Sequence, residues 1–185
     1  MPKADTYSPS EVLGAINFDN ISELEFYSYC FNESLRMQPP VYISSTVSMM
    51  ETVDCGGLII RKGDAISIDM YRLGHNPKEW IEPEKFFPER FNPEHEYFKT
   101  PDGKRRNPYS FSPFLGGQRI CVGKTFVELV SKLTLPSLYA NFDFALPEGI
   151  DPATYKLPAN NLVCSREPEV HVTINKRSER VFFQS

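Results

Sequence analysis

The sequence predicts a mixed α/β fold, mainly helical with small sheets. Three observations carry that expectation. Apolar residues at helical spacing follow Asn20 and stop at Pro39-Pro40. Short β-branched runs bounded by glycine occupy residues 41–75. A second apolar run at helical spacing follows Gly123. With 185 residues the chain is long enough for one ordinary domain with its own core. An apolar content of 41% against 24% charged residues marks a globular chain rather than a disordered one. A net charge of −4 argues against nucleic acid as the main partner.

Residues 1–19 are weakly patterned and read as a loop or a poorly ordered terminus. Asn20 is a good N-cap, and Glu23 three residues later completes a capping-box pattern. Leu24, Phe31 and Leu35 then share one helical face. Pro39 forces Gln38 out of the helical region, so the helix is placed at residues 21–37. Glu33 and Arg36 stand at i and i+3 on it and can pair. On a solvated face such a pair contributes little.

Val41-Tyr42-Ile43 opens the strand region. Gly56-Gly57 marks a turn before Leu58-Ile59-Ile60, and Arg61-Lys62-Gly63-Asp64 a second turn before residues 65–68. These last two runs are expected to pair as a hairpin. Asn76-Pro77 ends the pattern, and Trp80 falls in a short helical turn. The 16 prolines crowd toward Pro77–Pro113 beside aromatics, which predicts a stretch packed by side chains rather than by regular structure. Lys99, Lys104, Arg105 and Arg106 follow as a basic loop with an Asp102-Gly103 turn. Phe126, Leu129, Val130, Leu133 and Leu138 predict the second helix, which Pro136 should kink or shorten. Leu162-Val163 and residues 170–174 predict a small C-terminal sheet. Residues 20–177 are expected to form the domain, with a tail at 178–185.

The chemistry concentrates at Phe114–Gly123. Cys121 ends a glycine-bearing loop just before a helix-like run, where backbone N–H groups and the helix dipole favour a thiolate. A thiolate is a nucleophile or a metal ligand; the ordinary alternative is a cysteine packed as a small hydrophobe. Gly117 and Gly123 leave the backbone bare on either side of the sulfur, so something large and flat can approach. Phe114 can cover the sulfur, and Arg119 supplies a fixed positive charge suited to a carboxylate. Cys30, Cys55, Cys121 and Cys164 form no C-x-x-C pair, which argues against structural zinc and fits a reducing compartment better than widely spaced disulfides. His75, His95 and His171 share no metal-ligand spacing. No apolar run spans a bilayer, no signal-peptide core follows Met1, and no internal repeat occurs.

The pattern Phe-x-x-Gly-x-Arg-x-Cys-x-Gly, at Phe114, Gly117, Arg119, Cys121 and Gly123, resembles the haem-binding signature of the cytochrome P-450 superfamily of haem-thiolate monooxygenases. Glu33-x-x-Arg36 resembles that superfamily's second signature, with Arg90 of Phe87-Pro88-Glu89-Arg90-Phe91 as its third, buried member. The resemblance implies the C-terminal part of that fold on the proximal side of the haem. It implies haem b as cofactor, Cys121 as axial iron ligand and Arg119 as the partner of a haem propionate. It implies insertion of one oxygen atom from O2 into a small apolar organic substrate. Reducing equivalents would come from a flavoprotein reductase or an iron–sulfur protein, docked at Lys99, Lys104, Arg105 and Arg106. Residues 41–45 would face the haem from the substrate side. The chain departs from the family at Leu115, where a small residue is usual, at Val130, where many members have a glutamate, and at Thr46, where many carry a propionate-binding arginine. Members are much longer, and their oxygen-activating helix has no counterpart before Asn20, so the chain alone is expected to be inactive. Membrane association, at the endoplasmic reticulum for a full-length eukaryotic relative, would come only from the part absent here. The alternatives are a non-catalytic haem-thiolate binding module and a structural remnant without haem.

Overall fold

The computed structural model describes residues 20–150 and 171–177. The expectations for residues 1–19, Leu162-Val163, Cys164 and the 178–185 tail lie outside the described residues. The chain divides into two units. One holds residues 29–121; the other holds, among the described residues, 20–28, 122–150 and 171–177.

The first helix, α1 (Glu25–Met37), is preceded by a 3-10 turn at Ile21–Glu23. The expected capping box does not form. Asn20 has φ −110° and ψ −1° and makes no side-chain cap bond, because a cap needs an extended backbone there. The Glu23 amide bonds the Asn20 carbonyl instead, at 3.0 Å. α1 ends where expected, with the Gln38 amide on the Ser34 carbonyl before the prolines. Its buried residues are Glu33 and Arg36, not its apolar ones.

Four two-residue strands follow: β1 (Val47–Ser48), β2 (Val53–Asp54), β3 (Ile59–Ile60) and β4 (Ala65–Ile66). The expected hairpin between the last two runs is corrected: β3 pairs antiparallel with β2, and β4 with β1. Side chains at the turns decide this. The Asp54 carboxylate accepts from the Gly57 amide at 2.6 Å, with Gly56 and Gly57 at φ 69° and 94°, which folds β3 back onto β2. Asp64 accepts from the Arg61 amide at 2.8 Å, and Met49 exchanges backbone bonds with Gly63 and Asp64, which brings β4 beside β1. Residues 41–43 contribute only a bridge between Ile43 and Asp69.

The reading of residues 41–75 as strands is corrected at its end, where α2 (Met70–Gly74) is a short helix. Asp69 caps it by accepting from the Arg72 amide at 2.8 Å. Trp80 lies in a turn, with its amide and that of Glu79 both on the Asn76 carbonyl. Its ring is fully buried, donates to the Leu73 carbonyl at 2.9 Å, and meets Phe91 and Phe111. The proline-rich stretch around it is held by such contacts and by 3-10 turns at Pro88–Phe91, Glu96–Phe98 and Pro108–Ser110. The large fully buried side chains are Trp80, Arg36, Arg90 and Glu33, so this unit is centred on an aromatic ring and three charges.

In the second unit α3 (Lys124–Asn141) starts after Gly123 and ends against β5 (Phe142–Ala145). Pro136 does not shorten it; the helix runs five residues further. Proline removes one donor, yet the next turn is tied down by Ser137 donating to the Leu133 carbonyl and Asn141 to the Ser137 carbonyl. β5 pairs antiparallel with β6 (Thr173–Lys176), from Phe142↔Lys176 to Ala145↔Thr173. The C-terminal sheet therefore includes residues 173–174 as expected, with 142–145 as partner. Among the described residues, no helix is long and apolar enough to cross a membrane.

Candidate functional site

The site is built outward from Glu33. Its Oε2 accepts from Arg36 Nε at 2.7 Å. Its Oε1 accepts from Arg36 Nη2 at 2.8 Å, Arg90 Nε at 2.9 Å and the Phe87 amide at 2.9 Å. Two guanidinium groups on one carboxylate leave excess positive charge, and backbone carbonyls take it up. Arg36 reaches those of Gly74, Pro83 and Lys85; Arg90 reaches those of Ile81, Glu82 and Lys85. Arg36 thereby uses all five of its N–H donors. Burial pushes the Arg90 pKa down, while Glu33 opposes the shift. The result ties α1 to residues 81–90 through three almost completely buried side chains.

Arg106 departs from the basic loop in which the sequence put it. Its side chain turns inward, with its guanidinium carbon 3.8 Å from the centroid of the Trp80 ring. It donates to the carbonyls of Glu79 at 3.1 Å and Tyr97 at 2.7 Å, and to that of Arg90 at 3.5 Å. Burial, then the neighbouring Arg90, lowers its pKa to about 10, so it stays charged at neutral pH. The physical reason is Trp80: its π-face, with three nearby carbonyls, replaces water around a weakly hydrated guanidinium. Lys99, Lys104 and Arg105 are exposed. Lys104 pairs with Asp102 at 2.6 Å, and that bond, with one from Thr100, holds the Asp102 carboxyl down at about 2.

The Glu79 carboxylate, which sequence reasoning passed over, accepts from the Asn107 amide at 3.0 Å and the Ser110 hydroxyl at 3.3 Å. Only its place beside Trp80 in the sequence hinted at it.

The cysteine loop follows. The Leu115 amide donates to the Ser112 carbonyl, and the Cys121 amide closes the loop onto the Phe114 carbonyl, both at 2.9 Å. A 3-10 turn at Gly117–Arg119 lies between them. Phe114 is half-buried, and Gly117 has φ 60°. Leu115, noted above as the departure from a small residue, has φ 59°, a left-handed backbone that favours glycine. Cys121 carries a free, exposed thiol, and Arg119 is exposed and makes no ion pair among the described residues. A Cβ built on Gly116 or Gly117 would meet nothing within 4 Å. Gly123 precedes α3 in the other unit. No group of three or more His, Cys, Asp or Glu suited to a metal occurs among the described residues. The soft donor in this loop that suits a metal is the Cys121 thiol. Open backbone at Gly116 and Gly117 in the loop that carries that thiol, and an Arg119 without an ion pair among the described residues, fit a flat group bearing carboxylates.

Residues 10–172 match the family model described as cytochrome P-450. The chain is similar to cytochrome P-450 4F6 of Rattus norvegicus, 34% identical over 137 residues, covering 74% of this chain and 24% of that protein. It is similar to cytochrome P-450 4A7 of Oryctolagus cuniculus, 32% identical over 163 residues, covering 88% of this chain and 29% of that protein. It also matches the taurochenodeoxycholic 6 alpha-hydroxylase of Sus scrofa, 28% identical over 162 residues, covering 88% of this chain and 30% of that protein. The chain thus spans less than a third of the length of these curated relatives.

Proposed function

The chain belongs to the cytochrome P-450 family, and from that premise we propose that it carries the proximal, thiolate-bearing side of a haem b site in a monooxygenase. The observation that carries this reading is the exposed Cys121 thiol on a loop closed by the Cys121 amide and the Phe114 carbonyl, inside the five-position signature. Cys121 would hold the haem iron through its thiolate sulfur, which would donate electron density to it. Arg119 would hold a propionate, and Gly117 would leave room for the ring to approach the backbone. When bound, the haem would supply oxygen activation, for insertion of one oxygen atom from O2 into a substrate.

The substrate class is small, apolar and organic; the hydroxylase name of the Sus scrofa relative supports hydroxylation as the reaction type. Reducing equivalents come from a flavoprotein reductase or an iron–sulfur protein. The exposed Lys99, Lys104 and Arg105 steer an acidic partner of that kind, whereas Arg106 is not available for it. Glu33, Arg36 and Arg90 hold the segment that leads to the cysteine loop.

Reconstitution of the chain with haem, followed by a carbon monoxide difference spectrum, tests the reading. A thiolate-type band is expected in the wild type, in Cys30→Ser and in Cys55→Ser, and is lost in Cys121→Ser. A wild-type chain without that band, or Cys121→Ser that keeps it, refutes the assignment.

A further inference from the structure

Between Ser112 and Cys121 every hydrogen bond of the cysteine loop, among the described residues, is to the loop itself or to Tyr109 just before it. The loop's shape is therefore internal, but its position is set by the stem at residues 106–111. That stem is held at several consecutive points. Arg106 stacks on Trp80 and bonds the carbonyls of Glu79, Arg90 and Tyr97. The Asn107 amide and Ser110 hydroxyl meet the Glu79 carboxylate. Phe111 packs on Phe91 with ring centroids 4.9 Å apart and meets Trp80 edge-on.

Of these, Arg106 alone reaches three separate points of the 79–97 segment. That segment is itself clamped to α1 by Arg36 and Arg90. Arg36 also lies 5.3 Å from the Trp80 centroid, on the same aromatic ring that Arg106 stacks against. We propose that Arg106 is a positioning residue for Cys121: it joins the stem of the cysteine loop to the Glu33–Arg36–Arg90 network through Trp80. A planar fork is needed for this, since one face must stack while the edge N–H groups diverge to three carbonyls. A lysine ammonium can stack or bond, but cannot do both in three directions. Its consequence for iron ligation rests on the haem reading above, but its effect on the loop does not.

The test measures amide hydrogen exchange in the full 185-residue chain without haem, and the carbon monoxide spectrum after haem loading, for the wild type, R106K and R106Q. In R106Q the segment 114–121 should exchange about tenfold faster, as expected when charge-assisted bonds are lost, while residues 29–37 of α1 keep wild-type protection. R106K should change in the same direction by about threefold, because it restores the charge without the fork. After loading, both variants should show a larger share of the neutral-thiol band relative to the thiolate band, with R106Q the more affected. A purely structural role would lower haem content and leave that ratio unchanged, which overturns the proposal. Wild-type exchange in 114–121 in a folded R106K overturns it as well. If R106Q does not fold, R106K decides. A wild type with no thiolate band refutes the haem reading alone, and the exchange result still decides Arg106.

Discussion

A methyl group on Gly74 would overlap the backbone carbonyl oxygen of Arg36 and lie 3.2 Å from its carbonyl carbon. The clash is with main chain, so no side-chain rotation relieves it. The same approach brings the Gly74 carbonyl to Arg36 Nη1 at 2.6 Å, so the absent Cβ is what lets α2 serve the buried arginine. Gly74→Ala should therefore destabilise the chain by about 1–3 kcal/mol in urea unfolding. Gly116→Ala is the control. Its φ of −161° is extended and a Cβ there has open space, so a change within about 0.5 kcal/mol is expected. Equal effects at the two positions would contradict the close approach.

Glu33 faces two arginines with no water between them, so removing it strands both charges. Glu33→Ala should cost roughly 3–5 kcal/mol. Lys85→Ala breaks the exposed pair with Glu82 but leaves the Lys85 carbonyl on both arginines, and should shift the midpoint far less than Glu33→Ala does. Denaturant midpoints of the two variants check this, and similar losses would argue against a closed charge core.

The first turn of this network is legible because i and i+3 on a helix are adjacent, so Glu33 and Arg36 can be paired on paper. Family resemblance pointed to Arg90, which the spacing alone does not. The strand pairing was not legible. Runs of two residues carry too little alternation to set register, and the deciding bonds come from Asp54 and Asp64 in the turns. Arg106 was misread for a related reason. Among Lys104, Arg105 and Arg106 nothing local says which one turns inward; the answer lies 26 residues back, at Trp80. Gly74 gave no signal at all, since a glycine ending a short helix reads as an ordinary terminator.

Leu115 holds a positive φ without the freedom of glycine, inside the loop that ends at Cys121. Alanine at that position keeps the strain while glycine removes it. Leu115→Gly should thus be more stable than Leu115→Ala by about 1 kcal/mol, the reverse of the usual order. Comparing the variants with each other cancels the loss of the leucine side chain, which both share. Thermal unfolding of the pair decides it, and an alanine variant at least as stable as the glycine one would mean that the backbone relaxes.

Asp102 accepts from Lys104 and Thr100, and these bonds hold its pKa at about 2 against an ordinary 3.8. The folded chain thus binds this proton less readily than the unfolded chain does. The stabilisation is complete above pH 3.8, and it falls away as the pH drops through the folded value near 2. Lys104 shifts upward through the same pair and stays charged throughout that window, so it adds no slope there. Asp102→Asn cannot ionise. The difference in urea midpoint between wild type and this variant should be constant from pH 7 to about 5 and shrink progressively below about 4. Exchange of the Gly103 and Lys104 amides, which bond the Thr100 carbonyl and hydroxyl, should quicken in the wild type over the same interval. A difference that stays flat down to pH 2 would mean that the Asp102–Lys104 pair is solvated and does not hold the turn.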